Sequence, residues 1–504
     1  MKKILNRKNR LIILFIVLAE LLSIFTNFIP TFGQIIFGLL ALIILSITLV
    51  RLEYGVWILL AELFIGSKGY LFYLSLGDNQ LSIRIAIWII VMSVWFGKLV
   101  AGWIKDKKLP KISAPKPASF FYYYLALFFF ILFGLVSGFL NHNNFKDIFL
   151  DFNGWLYFTL IFPLSAVIKD KENIRSLLEI FFISALWLSF KTFFTLYAFS
   201  HNLMSSSLEL YQWIRQTGVG EITQVQGGFY RVFFQSHVFA LIGLFIAMLL
   251  LAESLKDKTK KRALVYFLIS TAFLTVTLIS FSRSFWIGLA VGLIFCLFSI
   301  YKIYGGREFL KTFFIFPASL ILAAAFMFAI VKFPFPQPLG GFDAAFLFSQ
   351  RLSEGGEAAI SSRWQLLRPL ESAIKKSPIW GQGFGSTVTY KSSDPRILEQ
   401  TPDGLYTTYA FEWGWLDIWL KLGLFGLISY LVLIFKIIIS AYKIKTPLAY
   451  GLALGLIVIS AVSFFSPYTN HPLGIGYLLI TSVIISRLIS PRLVANIQER
   501  PDIK

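Results

Sequence analysis

Runs of about 20 apolar residues recur from one end of this chain to the other, and each is about the length a helix needs to cross the hydrocarbon of a bilayer. They lie near 11–30, 33–50, 53–67, 82–104, 118–140, 152–168, 175–199, 232–252, 263–281, 284–301, 312–332, 412–435, 447–466 and 472–490. That pattern predicts fourteen spans, falling to twelve if the short runs at 53–67 and 152–168 are re-entrant or tilted. Composition agrees: 57% of the 504 residues are apolar and 14% charged, too little polar material to cover a water-soluble protein of this size. The expected fold class is all-α, a polytopic transmembrane helical bundle of about 12–14 spans.

A net charge of +20 would suit a nucleic-acid partner, but the 46 Lys and Arg form no stripe or basic tail. They are parcelled into short connections between apolar runs, a matter of topology, and no nucleic-acid partner is expected. Placing the N-terminus inside puts Lys105–Lys116, Lys169–Arg175, Lys256–Arg262, Lys302–Lys311, Lys436–Lys445 and the tail after Arg487 on the inner side. Both termini are then expected in the cytoplasm. The basic start (Lys2, Lys3, Arg7, Lys8, Arg10) precedes an apolar run too long for a signal-peptide core and without a small-x-small cleavage site, so it reads as a retained first span. The single Cys296 lies in an apolar run, which argues against disulfide, redox and thiolate-metal chemistry.

Four divisions follow: spans and an external loop in 1–230, central spans in 231–332, a large external loop in 333–411, and the last spans and tail in 412–504. The large loop opens Pro-rich from Phe333 to Pro338, has helical spacing from Ser361 to Lys375, and breaks at Pro378 and the glycines after it. It has room for two or three short helices but hardly for a core of its own, so it is expected to lie over the mouth of the bundle. No internal repeat or inverted repeat is visible, which weighs against common transporter architectures.

Charges near the outer boundary carry most information, because each costs free energy unless it faces protein, water or a ligand. Arg283 stands in Ser280–Trp286, a brief polar break between two long runs, and Arg231 stands where the 200–230 loop meets the next run. Each could be a snorkelling interfacial arginine. Together they could hold a phosphate, or lipid headgroups, through paired donors. Asp417 and Lys421 have the spacing to pair on one helix face. Glu412, with no local partner, could accept a proton or a sugar hydroxyl, or complement a helix N-terminus. Glu20, Glu62 and Lys191 fall within spans and are explained by function or by interhelical pairing; His237 reads as a packing residue. No metal-ligand spacing and no phosphate-cradling glycine loop is present, so neither a metal nor another cofactor is expected.

The stretch Ser280-Phe-Ser-Arg-Ser-Phe-Trp-Ile-Gly-Leu-Ala-Val-Gly292 resembles a signature of the O-antigen ligase and O-antigen polymerase family. Arg363-Trp364, the run Ser377-Pro-Ile-Trp-Gly-Gln-Gly-Phe-Gly385 and Leu420-Lys-Leu-Gly-Leu-Phe-Gly-Leu427 resemble its large periplasmic loop and the helix that follows. These pieces stand in family order across about 225–430. The resemblance implies a GT-C-like helical membrane glycosyltransferase of the bacterial cytoplasmic membrane, independent of metal. It would act on undecaprenyl-diphosphate-linked glycan at the outer face, with membrane lipids around it. A glycan or lipid-linked acceptor is implied, and a chain-length regulator protein is a further partner to expect. Arg231 and Arg283 match the diphosphate-holding positions, with Arg283 also catalytic. Ligases of this family carry a His-Asn pair where this sequence has Glu412-Trp413. Glu412 is therefore the expected acceptor base, and the reading moves toward a polymerase or a transferase with another acceptor. The alternative from another class is a polysaccharide or lipid-linked oligosaccharide transporter or flippase.

Overall fold

A computed structural model describes residues 7–77, 79–106, 120–201, 203, 207–225, 228–338, 358–399 and 401–489. The expected basic residues Lys2 and Lys3, most of the Lys105–Lys116 connection and the tail after Ile489 lie outside the described residues. The chain is an all-α polytopic membrane protein: among the described residues 12 helical segments are long and apolar enough to span. Two expected spans are short helices instead, Leu52–Ile65 with 14 residues and Pro447–Val462 with 16. At a rise of about 1.5 Å per residue, 14 residues reach about 21 Å, less than the hydrocarbon thickness of about 30 Å. The expected 152–168 run joins a preceding amphipathic turn into one apolar stretch, Phe145–Val167.

The chain divides into two compact units, residues 1–114, 160–344 and 445–455 in the first and 115–159, 345–444 and 456–504 in the second. The first holds α1 (Arg7–Asn27), α2 (Pro30–Val50), α3 (Leu52–Ile65), α4 (Ile83–Asp106), α7 (Ile161–Val167), α8 (Lys171–Ser200), α9 (Ser207–Gln216), α10 (His237–Lys256), α11 (Lys260–Ile279), α12 (Arg283–Tyr304) and α13 (Gly306–Val331). Two antiparallel hairpins accompany them, β1 (Tyr73–Leu76) with β2 (Asn79–Ser82), and β3 (Gly220–Gln224) with β4 (Tyr230–Phe234). Helix starts follow local chemistry. Pro30 stands at the first turn of α2, where its missing N–H costs nothing, and the Asp170 carboxylate caps α8 by accepting from the Asn173 N–H at 2.8 Å. Helix α10 forms the centre of this unit, with 83% of its span buried against 17% for α2.

Two buried acid–base pairs of this unit join different helices. Lys191 Nζ of α8 lies 2.5 Å from Glu20 Oε1 of α1, and Trp187 Nε1 donates to the other carboxylate oxygen at 2.8 Å. Arg84 at the start of α4 grips Glu62 of α3 through Nε at 2.7 Å and Nη2 at 3.0 Å, and its Nη1 donates to the Ser67 carbonyl at 2.6 Å. Interhelical pairing therefore accounts for all three intramembrane charges singled out in the sequence. Removing one partner strands a buried charge, at a cost of about 3–5 kcal/mol, whereas removing both does not. Lys191→Met is expected to lower the apparent melting temperature of the purified protein sharply. Lys191→Met with Glu20→Met should recover most of the loss.

The second unit holds α5 (Phe121–Leu140), α6 (Phe145–Asn153), α14 (Ala358–Lys376), α15 (Pro395–Leu398), α16 (Gly414–Ile444) and α18 (Pro472–Ile489), with a third hairpin of β5 (Val388–Lys391) and β6 (Leu405–Thr408). Helix α17 (Pro447–Val462) begins in the first unit and ends in the second. Among the described residues, the 333–411 loop thus carries one long helix, one single-turn helix and a hairpin. Its apolar side chains Leu366, Leu370, Ile374, Val388 and Tyr390 cluster with Leu420 of α16. As its length suggested, the loop's core is shared with a spanning helix.

The glycine run after Pro378 is built into unit two as backbone. Helix α16 breaks at Gly423, whose φ is +70°. The Leu424 N–H then donates to the Pro378 carbonyl at 3.0 Å instead of continuing the helix. The break frees the carbonyls of Leu420 and Lys421, which accept from the N–H groups of Gln382 at 2.7 Å and Gly383 at 3.2 Å. Phe384 N–H donates to the Gly134 carbonyl of α5 at 3.0 Å. Irregular backbone survives in such surroundings only when its polar groups find partners in protein, and these do.

Candidate functional site

Arg231 does not begin a spanning helix, as its sequence position suggests; it sits in β4, opposite Thr223 of β3, ahead of the first residue of α10. Five residues of strand are hard to separate in sequence from the apolar run they precede. Residues 280–282 form the turn between α11 and α12, with Phe281 at φ +44° and nearly fully buried. Its ring packs on Phe229 at 5.1 Å and on Trp286 at 5.9 Å between centroids, which pins the turn against the start of β4. Phe233 of β4 meets Phe285 of α12 at 5.6 Å.

This packing brings the Arg231 guanidinium to the turn that leads into Arg283. Arg231 Nε donates to the Ser280 carbonyl at 2.8 Å, and Arg283 is the first residue of α12 just beyond that carbonyl. Burial pulls the Arg231 pKa below its ordinary value, the Glu221 carboxylate opposes that, and the like charge of Arg283 adds to the lowering. Two cations that repel one another at the end of a helix form a site that gains from an anion. The dipole of α12, whose N-terminal end is at Arg283, adds to the positive field there.

His237 lies close behind, fully buried at the start of α10. Its Nδ1 faces the Phe234 N–H at 3.3 Å and its Nε2 faces Thr192 Oγ1 at 2.8 Å, while the Thr192 hydroxyl donates to the Leu188 carbonyl. These partners assign a neutral ring with its proton on Nε2, a packing residue with both nitrogens occupied.

Glu412 belongs to the second unit. It has no local partner but forms an ion pair with the sequence-distant Arg363 of α14, while 49% of its side chain stays exposed. Trp413 fixes the segment by donating from Nε1 to the Arg363 carbonyl at 3.0 Å and packing edge-on against Trp364. Asp417 and Lys421 do pair, Nζ to Oδ1 at 2.5 Å. The same ammonium also meets Asp151 Oδ1 of α6 at 2.6 Å, and the other Asp151 oxygen accepts from the Gly385 N–H at 3.0 Å. Asn470 donates to Asp417. Sequence reasoning missed Asp151, Asn470 and the tie to Arg363, whose partners are far apart along the chain. Among the described residues no group of His, Cys, Asp and Glu could hold a metal ion.

A family model described as O-antigen ligase matches residues 265–431. Through that segment the chain is similar to the O-antigen ligase family. No curated protein matches it. The family segment runs from within α11 through α12, α13 and the large loop into α16, so it includes Arg283, Glu412 and the glycine run, while Arg231 lies ahead of it.

Proposed function

We propose that this protein transfers or polymerises glycan units carried on a lipid diphosphate, undecaprenyl diphosphate in the family's manner, at the outer face of the bacterial cytoplasmic membrane. The observation that supports the reading is the hydrogen bond from Arg231 to the turn between α11 and α12, whose next helix opens with Arg283. An acceptor hydroxyl oxygen attacks the anomeric carbon of the donor sugar. The bond from that carbon to the diphosphate oxygen breaks, and its electron pair leaves on the diphosphate. Negative charge grows on the leaving group during this step, and preorganised cations stabilise it without reorganising. No metal is called for, because the two guanidiniums supply the positive charge.

The acceptor's proton goes to a carboxylate base, for which Glu412 has the chemistry. Its exposure leaves an oxygen accessible, and Arg363 orients it. Glu412→Gln keeps the shape and removes the base. It is expected to slow glycan transfer by about 10²–10⁴-fold with substrate binding unchanged, the range for loss of a general base. Rates measured at saturating and at limiting donor separate the two effects.

Purified full-length protein in lipid vesicles, supplied with a lipid-diphosphate-linked repeat unit, tests the reading as a whole. Lengthened or transferred glycan and free lipid diphosphate are expected without any ion gradient. Movement of the unit across the vesicle membrane with its glycan unaltered would instead identify a flippase.

A further inference from the structure

The first unit contains a shallow, partly open recess, about 60 Å³ inside its walls, between the end of α1, the start of α2 and the β1 strand. Its lining has hydroxyls from Thr26, Ser75 and Thr217, amides from Asn27 and Gln34, and the ring of Tyr73. None of its lining residues is charged. A phosphate, a metal ion or a zwitterionic headgroup would find no counter-charge there.

The walls are fixed by their own hydrogen bonds. Ser23 Oγ donates to the Leu71 carbonyl at 2.5 Å and accepts from Trp213 Nε1 at 3.0 Å, joining α1, the approach to β1, and α9. Thr26 spends its proton on the Ser23 carbonyl and Thr217 on the Trp213 carbonyl, so both hydroxyls keep lone pairs to offer. Among the described residues, the Asn27 and Gln34 amides have no hydrogen-bond partner. An amide presents a donor and an acceptor side by side, the complement of two neighbouring sugar hydroxyls, and an aromatic wall suits the apolar face of a sugar ring.

Position links the recess to the guanidinium pair. Thr217 leads into β3, which pairs with β4 in the register Thr223 to Arg231, so both lie at the same end of this unit. We propose that the recess is a binding subsite for a neutral sugar of the glycan, held by Asn27 and Gln34. That the sugar belongs to a lipid-linked glycan rests on the function proposed above; the capacity to bind a neutral sugar does not.

The test uses purified full-length protein in a detergent without a sugar headgroup. The probes are single repeat-unit oligosaccharides and longer fragments, both released by mild acid from the surface polysaccharide of the source cells and followed by ligand-observed NMR. The wild type is expected to bind, and Asn27→Ala with Gln34→Ala to bind about tenfold more weakly or less. Gln34 is exposed, so Gln34→Ala alone serves as a variant without a folding penalty. Tighter binding of the single repeat would place the donor's glycan in the recess, and tighter binding of longer fragments the growing chain. Arg283→Ala should keep this binding even where it loses transfer, which separates the subsite from the catalytic reading. No binding by the wild type at millimolar concentration, or equal binding by the double variant, overturns the proposal.

Discussion

Cells in which Arg283 is replaced by alanine are expected to accumulate normal amounts of the protein but to lose nearly all of its glycan product. Arg283 is partly exposed at the first position of α12, and the turn before it is pinned by Phe281. Its removal should therefore spare the fold. In the proposed mechanism it removes one of two charges facing the departing diphosphate. Loss of a single preorganised donor to a developing anion typically costs about 10²–10³ in rate. Arg283→Lys should recover only part of this, because an ammonium keeps the charge but cannot present two parallel donors to a phosphate. Product with the wild-type length and amount from Arg283→Ala, at wild-type protein level, would remove the site from the mechanism.

The second large effect is structural, at Gly383. Its φ is +81°, and a methyl group there would collide with the backbone nitrogen of Gly138 in α5. Strain of about 1–3 kcal/mol adds to overpacking of about 1–3 kcal/mol. The sum is a large part of the stability of an ordinary domain, about 5–15 kcal/mol. Gly383→Ala is accordingly expected to abolish accumulation of folded protein, read by size-exclusion of the detergent-solubilised chain. Gly97→Ala is the matched control, since a methyl group at Gly97 meets nothing within 4 Å and improves helix propensity. Normal recovery of Gly383→Ala would show that the loop backbone does not thread between α5 and α16 as described.

The spanning helices were legible because a bilayer imposes one length and one polarity on every crossing. Short elements were not, for reasons visible in particular residues. The 52–65 helix is as apolar as its neighbours and differs only in stopping early, at Gly66 and a positive-φ Ser67. Strand β4 is a few residues of apolar and aromatic character merged with the flank of α10. The family signature around Arg283 and the glycine run were readable, but the sequence gives no reason for the glycines. That reason is the break at Gly423, which exposes carbonyls to Gln382 and Gly383. Pairings one helical turn apart, such as Asp417 with Lys421, follow from spacing. Asp151 with Lys421 and Glu20 with Lys191 are separated by 270 and 171 residues, and a single sequence carries no local signal for them. Glu412, with no local partner, likewise has its cation in another helix.

In the proposed function Arg231 and Arg283 jointly hold a lipid diphosphate. The most direct test measures binding of undecaprenyl diphosphate, without any glycan, to the purified wild type, to each single alanine variant and to the double variant. Tight binding by the wild type that weakens strongly in either single variant, and that falls further with added salt, is the predicted result. Undiminished affinity in the double variant would contradict it.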